Sequence, residues 1–186
     1  MRIIAGRLKG RRLETPTWEG LRPTSDKLRE TLFNVLAARL PGARVLDGYA
    51  GTGALGIEAL SRGAASVTFV ESDPRAVRLI ARNLERCAVA DRYAIIRARF
   101  ADAARRFPLR AFDLVLLDPP YGRDHLVQVL DAAAPLVAHD GRLVVERARR
   151  DEAPERTAAL TKLRDILSGD SALSIYGADP EAAAAV

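Results

Sequence analysis

The four residues Asp118-Pro119-Pro120-Tyr121 carry more potential chemistry than any other stretch of this chain. They follow Phe112–Leu117, an apolar run that reads as a buried strand. Proline lacks an N–H, fixes φ and drives the preceding residue into an extended conformation. Pro119 and Pro120 in succession therefore make a stiff, outward-turned strand end. The Asp118 carboxylate and the Pro119 carbonyl become fixed acceptors, and Tyr121 offers a flat face. That set suits methylation of an exocyclic amine on a nucleobase. Such an amine is a poor nucleophile because its lone pair is delocalised into the ring. Accepting hydrogen bonds from its N–H groups favours a more pyramidal nitrogen. A carboxylate also stabilises the positive charge that develops there, and stacking on Tyr121 holds the extruded base.

A second stretch, Gly51-Thr52-Gly53-Ala54-Leu55-Gly56, satisfies GxGxxG. On its own that pattern also fits a plain strand–helix turn or a nicotinamide-binding loop. In the nicotinamide fold the first glycine comes directly off the strand. Here Asp47 ends the strand and the glycines begin four residues later. An acid in that place repels a phosphate pair but suits a ligand bearing an ammonium group and ribose hydroxyls. S-adenosylmethionine has both and no phosphate. Glu71, at the end of the next apolar run, is placed to accept two ribose hydroxyls and would serve either ligand.

These motifs need a scaffold that gathers strand ends. Short apolar runs occur at 43–47, 65–70, 93–97, 112–117 and 142–146, with helix-like segments near 54–62, 74–87, 101–107 and 124–137. Such alternation predicts a parallel sheet covered on both faces, with ligands beyond the carboxyl ends of its strands. "DILSG" and "DSALSIY" read as strands joined through Gly169–Asp170. Residues 2–14 read as a β-hairpin whose tips carry Arg7, Lys9, Arg11 and Arg12. A helix follows, capped by Thr24 or Ser25, with an apolar stripe of Leu28, Leu32, Val35, Leu36 and Leu40. The expected organisation is a basic extension over 1–40, a main domain over 41–178 and a frayed tail over 179–186.

The net charge of +5 is unevenly placed. Residues 1–44 hold ten Lys/Arg against four Asp/Glu, while the rest hold nineteen against twenty. An anion-binding extension on a nearly neutral body points to a polyphosphate such as RNA. Cys87 is the one cysteine, so an intrachain disulfide is excluded, and its helical spacing from Leu84 marks it as a core residue. With two histidines and no CxxC, HxxxH or HExxH, no metal site is expected. No apolar stretch is long enough for a membrane span and the N-terminus lacks a signal-peptide core, so a cytoplasmic protein is expected, and its size and lack of an obvious surplus apolar surface favour a monomer.

The whole set resembles the RsmD family, the 16S ribosomal RNA guanine-N2 methyltransferases. The resemblance rests on "MRIIAGRLKGRRLETP", "RPTSDKLRETLFNVL", "DGYAGTGALGIEALSRGA", "FVESD", "DPPY" and "SGDSALSIY". It implies a Rossmann-like α/β methyltransferase sheet of seven strands with an antiparallel last strand, an N-terminal hairpin that touches RNA, and S-adenosylmethionine as cofactor. It implies as partner the 16S ribosomal RNA or an assembly intermediate of the small subunit. Matched by position, Asp47, Ala50, Gly51, Gly53 and Glu71 form the cofactor site, Asp118, Pro119, Pro120 and Tyr121 the catalytic motif. Arg22, Thr24 and Arg29 fall in the block near the active-site mouth, and join Arg7, Lys9, Arg11 and Arg12 as substrate-binding candidates. Two departures stand out. Gly48 replaces a usually bulky apolar residue, which is expected to loosen the loop. After the third strand the usual "GDA"-like turn gives way to "RARFADAARRF". There Asp102 is the candidate for the adenine amine, and Phe100 the alternative through packing on the ring.

Two rival functions remain at this level. A DNA adenine-N6 methyltransferase also uses DPPY, but about 40 residues before the first strand and no large insertion leave little room to read a duplex. A non-catalytic binding module is the other.

Overall fold

The computed structural model describes residues 1–18, 26–120, 123–157 and 159–178. Seven strands form one sheet: β1 (Arg44–Gly48), β2 (Ser66–Glu71), β3 (Tyr93–Arg97), β4 (Phe112–Leu117), β5 (Val137–Ala148), β6 (Thr161–Ser168) and β7 (Ser171–Gly177). Their spatial order is β3-β2-β1-β4-β5-β7-β6. β1 to β5 run parallel, and β7 alone is antiparallel to its neighbours. The helices are α1 (Asp26–Val35), α2 (Ala54–Ser61), α3 (Pro74–Arg86), α4 (Phe100–Ala104) and α5 (Arg123–Ala133). The parallel strands with helices between them are what the alternating pattern predicts, and the seven-stranded Rossmann-like sheet with an antiparallel last strand is what the family resemblance implies. The buried runs Val45–Gly48 and Leu114–Leu117 do not alternate because helices cover both faces of the sheet.

One chain segment leaves the predicted register. β5 begins five residues before the apolar run, pairing Val137 with Phe112, and then slips before Arg142 pairs with Leu114. The intervening "AHDG" is polar and turn-prone, which hid the start of the strand from its composition.

The N-terminal hairpin is reduced to a single antiparallel bridge, Arg2 with Arg12. Met1–Ile3 and Arg11–Leu13 lie side by side, and the residues between them form a turn rather than strands. The reason is its docking. Glu58 on α2 is fully buried and accepts the N–H groups of Ile4 at 2.8 Å and Ala5 at 3.0 Å. Ser61 accepts from the Leu8 N–H at 2.9 Å and donates to the Ala5 carbonyl at 2.5 Å. Backbone groups that a hairpin would pair internally are given to α2 instead. Gly6, at φ +81°, sits so close that a Cβ would lie 2.0 Å from the Ser61 carbonyl oxygen. Ile3, Leu8 and Leu13 are buried in the same core as α1 to α3. Each contributes on the order of 2 kcal/mol.

α1 buries Leu28, Leu32 and Phe33 and is followed by a short 3-10 turn over Ala37–Arg39. The stripe is correct at Leu28, Leu32, Leu36 and Leu40, but Val35 is 37% exposed. Phe33 takes a core position instead, under the Arg62 guanidinium 5.2 Å from its ring centre. Thr24 and Ser25, the expected caps, and the tail 179–186 lie outside the described residues. Among the described residues no helix is long and apolar enough to cross a membrane.

Glu58→Ala leaves two buried N–H groups unpaired at about 1–3 kcal/mol each. The expected loss in urea unfolding is about 3 kcal/mol, with residues 1–14 becoming the first site of limited proteolysis. Stability within about 0.5 kcal/mol of the parent would show that the arm is not held by this carboxylate.

Candidate active site at the carboxyl edge of the sheet

The ends of β1, β2, β4 and β5 bring four acids to one edge: Asp47, Glu71, Asp118 and Glu146. These strands are neighbours in the order β2-β1-β4-β5. Register sets the row. Asp47 pairs with Leu116, and Leu117 pairs with Val145, which places Asp118 beside Glu146. Sequence reasoning singled out three of these acids and missed Glu146. It lies within "RLVVERA", where an acid at the end of an apolar run looks like a strand stop.

Backbone N–H groups of the adjoining loops hold two of the acids. Asp47 is buried and accepts from Gly56 N–H at 2.8 Å, which draws the first turn of α2 onto β1. Burial pushes its carboxyl well above the usual carboxylate range. The Gly56 bond opposes that shift, while the nearby Asp118 and Glu71 charges add to it. Glu71 accepts from Gly51 N–H at 2.9 Å, Ser72 N–H at 2.7 Å and Asp73 N–H at 2.8 Å. A carboxylate offers about four acceptor positions. In this conformation Glu71 therefore has room for one further donor, not the two ribose hydroxyls expected from its position.

The glycine loop has the shape its sequence requires. Gly51 at φ +54° and Gly53 at φ +76° take left-handed conformations. Gly53 is the N-cap of α2, and its N–H reaches the Ala50 carbonyl at 2.7 Å. Ala50 in turn donates to the Val70 carbonyl at 3.0 Å. Asn83 on α3 donates to the Thr52 carbonyl at 3.0 Å. It also exchanges hydrogen bonds with the backbone of Glu14, at 2.7 and 3.1 Å. One amide thus joins the N-terminal arm to the cofactor-loop candidate.

Gly48 does not loosen this loop. A Cβ there would lie 2.6 Å from Leu117 and 2.8 Å from Phe100. The space a side chain at position 48 would take is filled by Leu117 and Phe100. At 3% exposure Phe100 has no free face, so the alternative of packing on an adenine is corrected. Tyr49 covers it instead, with ring centres 5.3 Å apart. Tyr49 was not singled out from sequence, although a tyrosine at φ +64° between an acid and a glycine loop marks a constrained position. Its hydroxyl lies 3.5 Å from His125 Nε2 on α5. Burial pushes the phenol up to about 12, against the opposing charge of Arg99. Asp102 is exposed in the first turn of α4 and pairs with Arg105 at 3.3 Å.

Asp118 is half-buried and its neighbour Pro119 buried, while Pro120 is exposed. Burial, and then the neighbouring Glu146, raise the Asp118 carboxyl to about 7. Tyr121, Arg22 and Thr24 lie outside the described residues. Arg29 is not available to a substrate. It is fully buried, donates to the Arg2 carbonyl at 2.7 Å and pairs with Asp26 at 2.8 Å. It supports the N-terminal arm from below. Arg7, Lys9, Arg11 and Arg12 are all exposed. No group of His, Cys, Asp and Glu among the described residues is arranged to hold a metal ion.

This edge therefore offers acceptors and negative charge to a ligand that brings donors and positive charge. A sulfonium with an ammonium group fits the row of acids, and a phosphate pair does not.

A model of the family described as conserved hypothetical protein 95 matches residues 1–177. Ribosomal RNA small subunit methyltransferase D of Escherichia coli K12 is 33% identical over 178 residues, spanning 95% of this chain and 89% of its own length. The protein of the same name from Haemophilus influenzae is 42% identical over 123 residues, 65% of this chain and 64% of its own. The solved structure of yhhF from Escherichia coli matches with a TM-score of 0.85 and 32% identity, covering 96% of this chain and 98% of that one. TrmN from Thermus thermophilus, at 23% identity and a TM-score of 0.65 over 82% of this chain and 48% of that one, shares the fold.

Because the fold favours the protonated form of Asp118, this group makes stability fall as pH rises from about 4 to about 7. Carboxyl-detected NMR titration is expected to give Asp118 a midpoint at about 7, and Glu146→Gln to lower it. A midpoint near 4 in the parent protein would contradict the burial and pairing of these acids.

Proposed function

This chain belongs to the conserved hypothetical protein 95 family, the RsmD family, and we propose that it methylates the exocyclic N2 amine of a guanine in 16S ribosomal RNA. S-adenosylmethionine would supply the methyl group as an electrophile on a sulfonium. The observation that carries the reading is the placement of Asp118. Its carboxylate stands at the end of β4, between the glycine loop after β1 and Glu146 near the end of β5.

Each group has a distinct task in this reading. Asp47 faces the ligand's ammonium group, whose charge favours the ionised carboxylate against the cost of burial. Glu71 takes a ribose hydroxyl on its remaining acceptor position. Ala50, Gly51 and Gly53 let the backbone approach the ligand without side-chain interference. Asp118 and the Pro119 carbonyl accept the two N–H groups of the target amine and aim its lone pair at the methyl carbon. Methyl transfer from that ligand would form a C–N bond and break its C–S bond, with the electron pair leaving on sulfur. The nitrogen then carries one proton too many, and Asp118, ionising at about 7, is the acceptor beside it. Pro120 and Tyr121 complete the rigid turn and the stacking face.

The adenine-N6 reading of DPPY in duplex DNA is not favoured. The two relatives described above are named as ribosomal RNA methyltransferases.

Asp118→Ala is expected to lower methyl transfer to 16S RNA by at least about 100-fold. S-adenosylmethionine affinity by calorimetry should stay within about threefold, because Asp118 acts on the base. Turnover at the parent rate would overturn the mechanism.

A further inference from the structure

The charge tally along the chain assigns all excess positive charge to the first quarter. Folding changes that picture. α3 buries Ala76, Leu79, Ile80, Asn83 and Leu84 and turns Arg75, Arg78, Arg82 and Arg86 outward. These four recur at the spacing of a single helix face and span about 16 Å along the axis.

The segment Arg11–Trp18 runs antiparallel along this helix. Arg11 donates to the Arg86 carbonyl at 3.1 Å, Glu14 pairs with Arg82 at 2.9 Å, and Trp18 lies under the Arg75 guanidinium at 5.1 Å. Glu14 and Asp73 compensate Arg82 and Arg75. Arg11, Arg12, Arg78 and Arg86 have no ion pair among the described residues. The helix begins three residues after Glu71, at the mouth of the acidic site, and ends beside the N-terminal turn. The basic arm and α3 therefore form one ridge rather than two separate patches.

We propose that this ridge is a track for the RNA phosphate backbone, leading from the N-terminal arm to the active-site mouth. It rests on the RNA reading above and extends it to residues outside the arm. Two features favour a phosphate chain over an acidic protein. Every basic residue of the segment 11–18 and of α3 is an arginine, whose planar fork matches phosphate oxygens bidentately. The charges also lie in a line that ends where a nucleotide must enter, as a backbone requires. The acids of the site repel phosphate at the mouth, so the ridge supplies the attraction the site itself lacks.

The test uses Arg78→Gln/Arg86→Gln, with Arg164→Gln on β6, at the opposite edge of the sheet, as control. Binding of naked 16S RNA is measured across a salt series, and S-adenosylmethionine affinity in parallel. The double variant should bind RNA at least fivefold more weakly. Its slope of log K against log salt should shrink by about 1.4 to 1.8, as loss of two phosphate contacts requires. Cofactor affinity and urea stability should not move, and Arg164→Gln should leave the slope unchanged. An unaltered slope in the double variant, or an equal loss in Arg164→Gln, would overturn the track. So would a selective loss of binding to an acidic polypeptide. A parent protein that methylates RNA while the double variant keeps its slope refutes the track alone. A parent that neither binds nor methylates RNA refutes the function on which it rests.

Discussion

Four carboxylates end four adjacent strands, and the cost of gathering them governs the rest of this structure. Asp47 is buried and Asp118 half-buried, and burial raises both carboxyls above the ordinary range, with Glu146 adding to the shift at Asp118. Like charges this close repel unless something opposes them. Inside the protein the opposing groups are backbone N–H donors: Gly56 on Asp47, and Gly51, Ser72 and Asp73 on Glu71. The glycine loop is thus shaped as much by the acids it serves as by the ligand it would admit. In the proposed reading a cationic ligand would complete the neutralisation, which would tie its binding to the electrostatics of the resting site.

The N-terminal arm is coupled to this edge through side chains of α2 and α3. Glu58 and Ser61 take over the arm's backbone hydrogen bonds, Arg29 holds it from beneath, and Asn83 bridges Glu14 to Thr52. Substitutions under the arm therefore have a path to the glycine loop. The same contacts lay residues 11–18 along α3, which converts a basic segment into part of a longer ridge.

The strand–helix alternation and the glycine loop were legible because each depends on local rules. Apolar runs mark strands, and glycines mark left-handed turns. What the sequence hid depends on partners remote in the chain. Gly48 reads as a hole until Phe100 and Leu117 are seen to fill it. Arg29 reads as a surface cation until the arm folds over it. Val35 fits the apolar stripe of α1 yet faces outward, because Phe33 takes the core place. Glu146 becomes visible as a site residue only once β5 is registered against β4. The arginines of α3 vanish in a charge count that balances them against acids elsewhere.

The most direct measurement offers methyl-labelled S-adenosylmethionine to the parent protein with naked 16S RNA, unmethylated small subunits and duplex DNA in parallel. Digestion and mass spectrometry then identify the labelled nucleoside. N2-methylguanosine from the RNA or the subunits is the predicted result. N6-methyladenosine from the DNA, or no transfer to any of the three, would contradict the account.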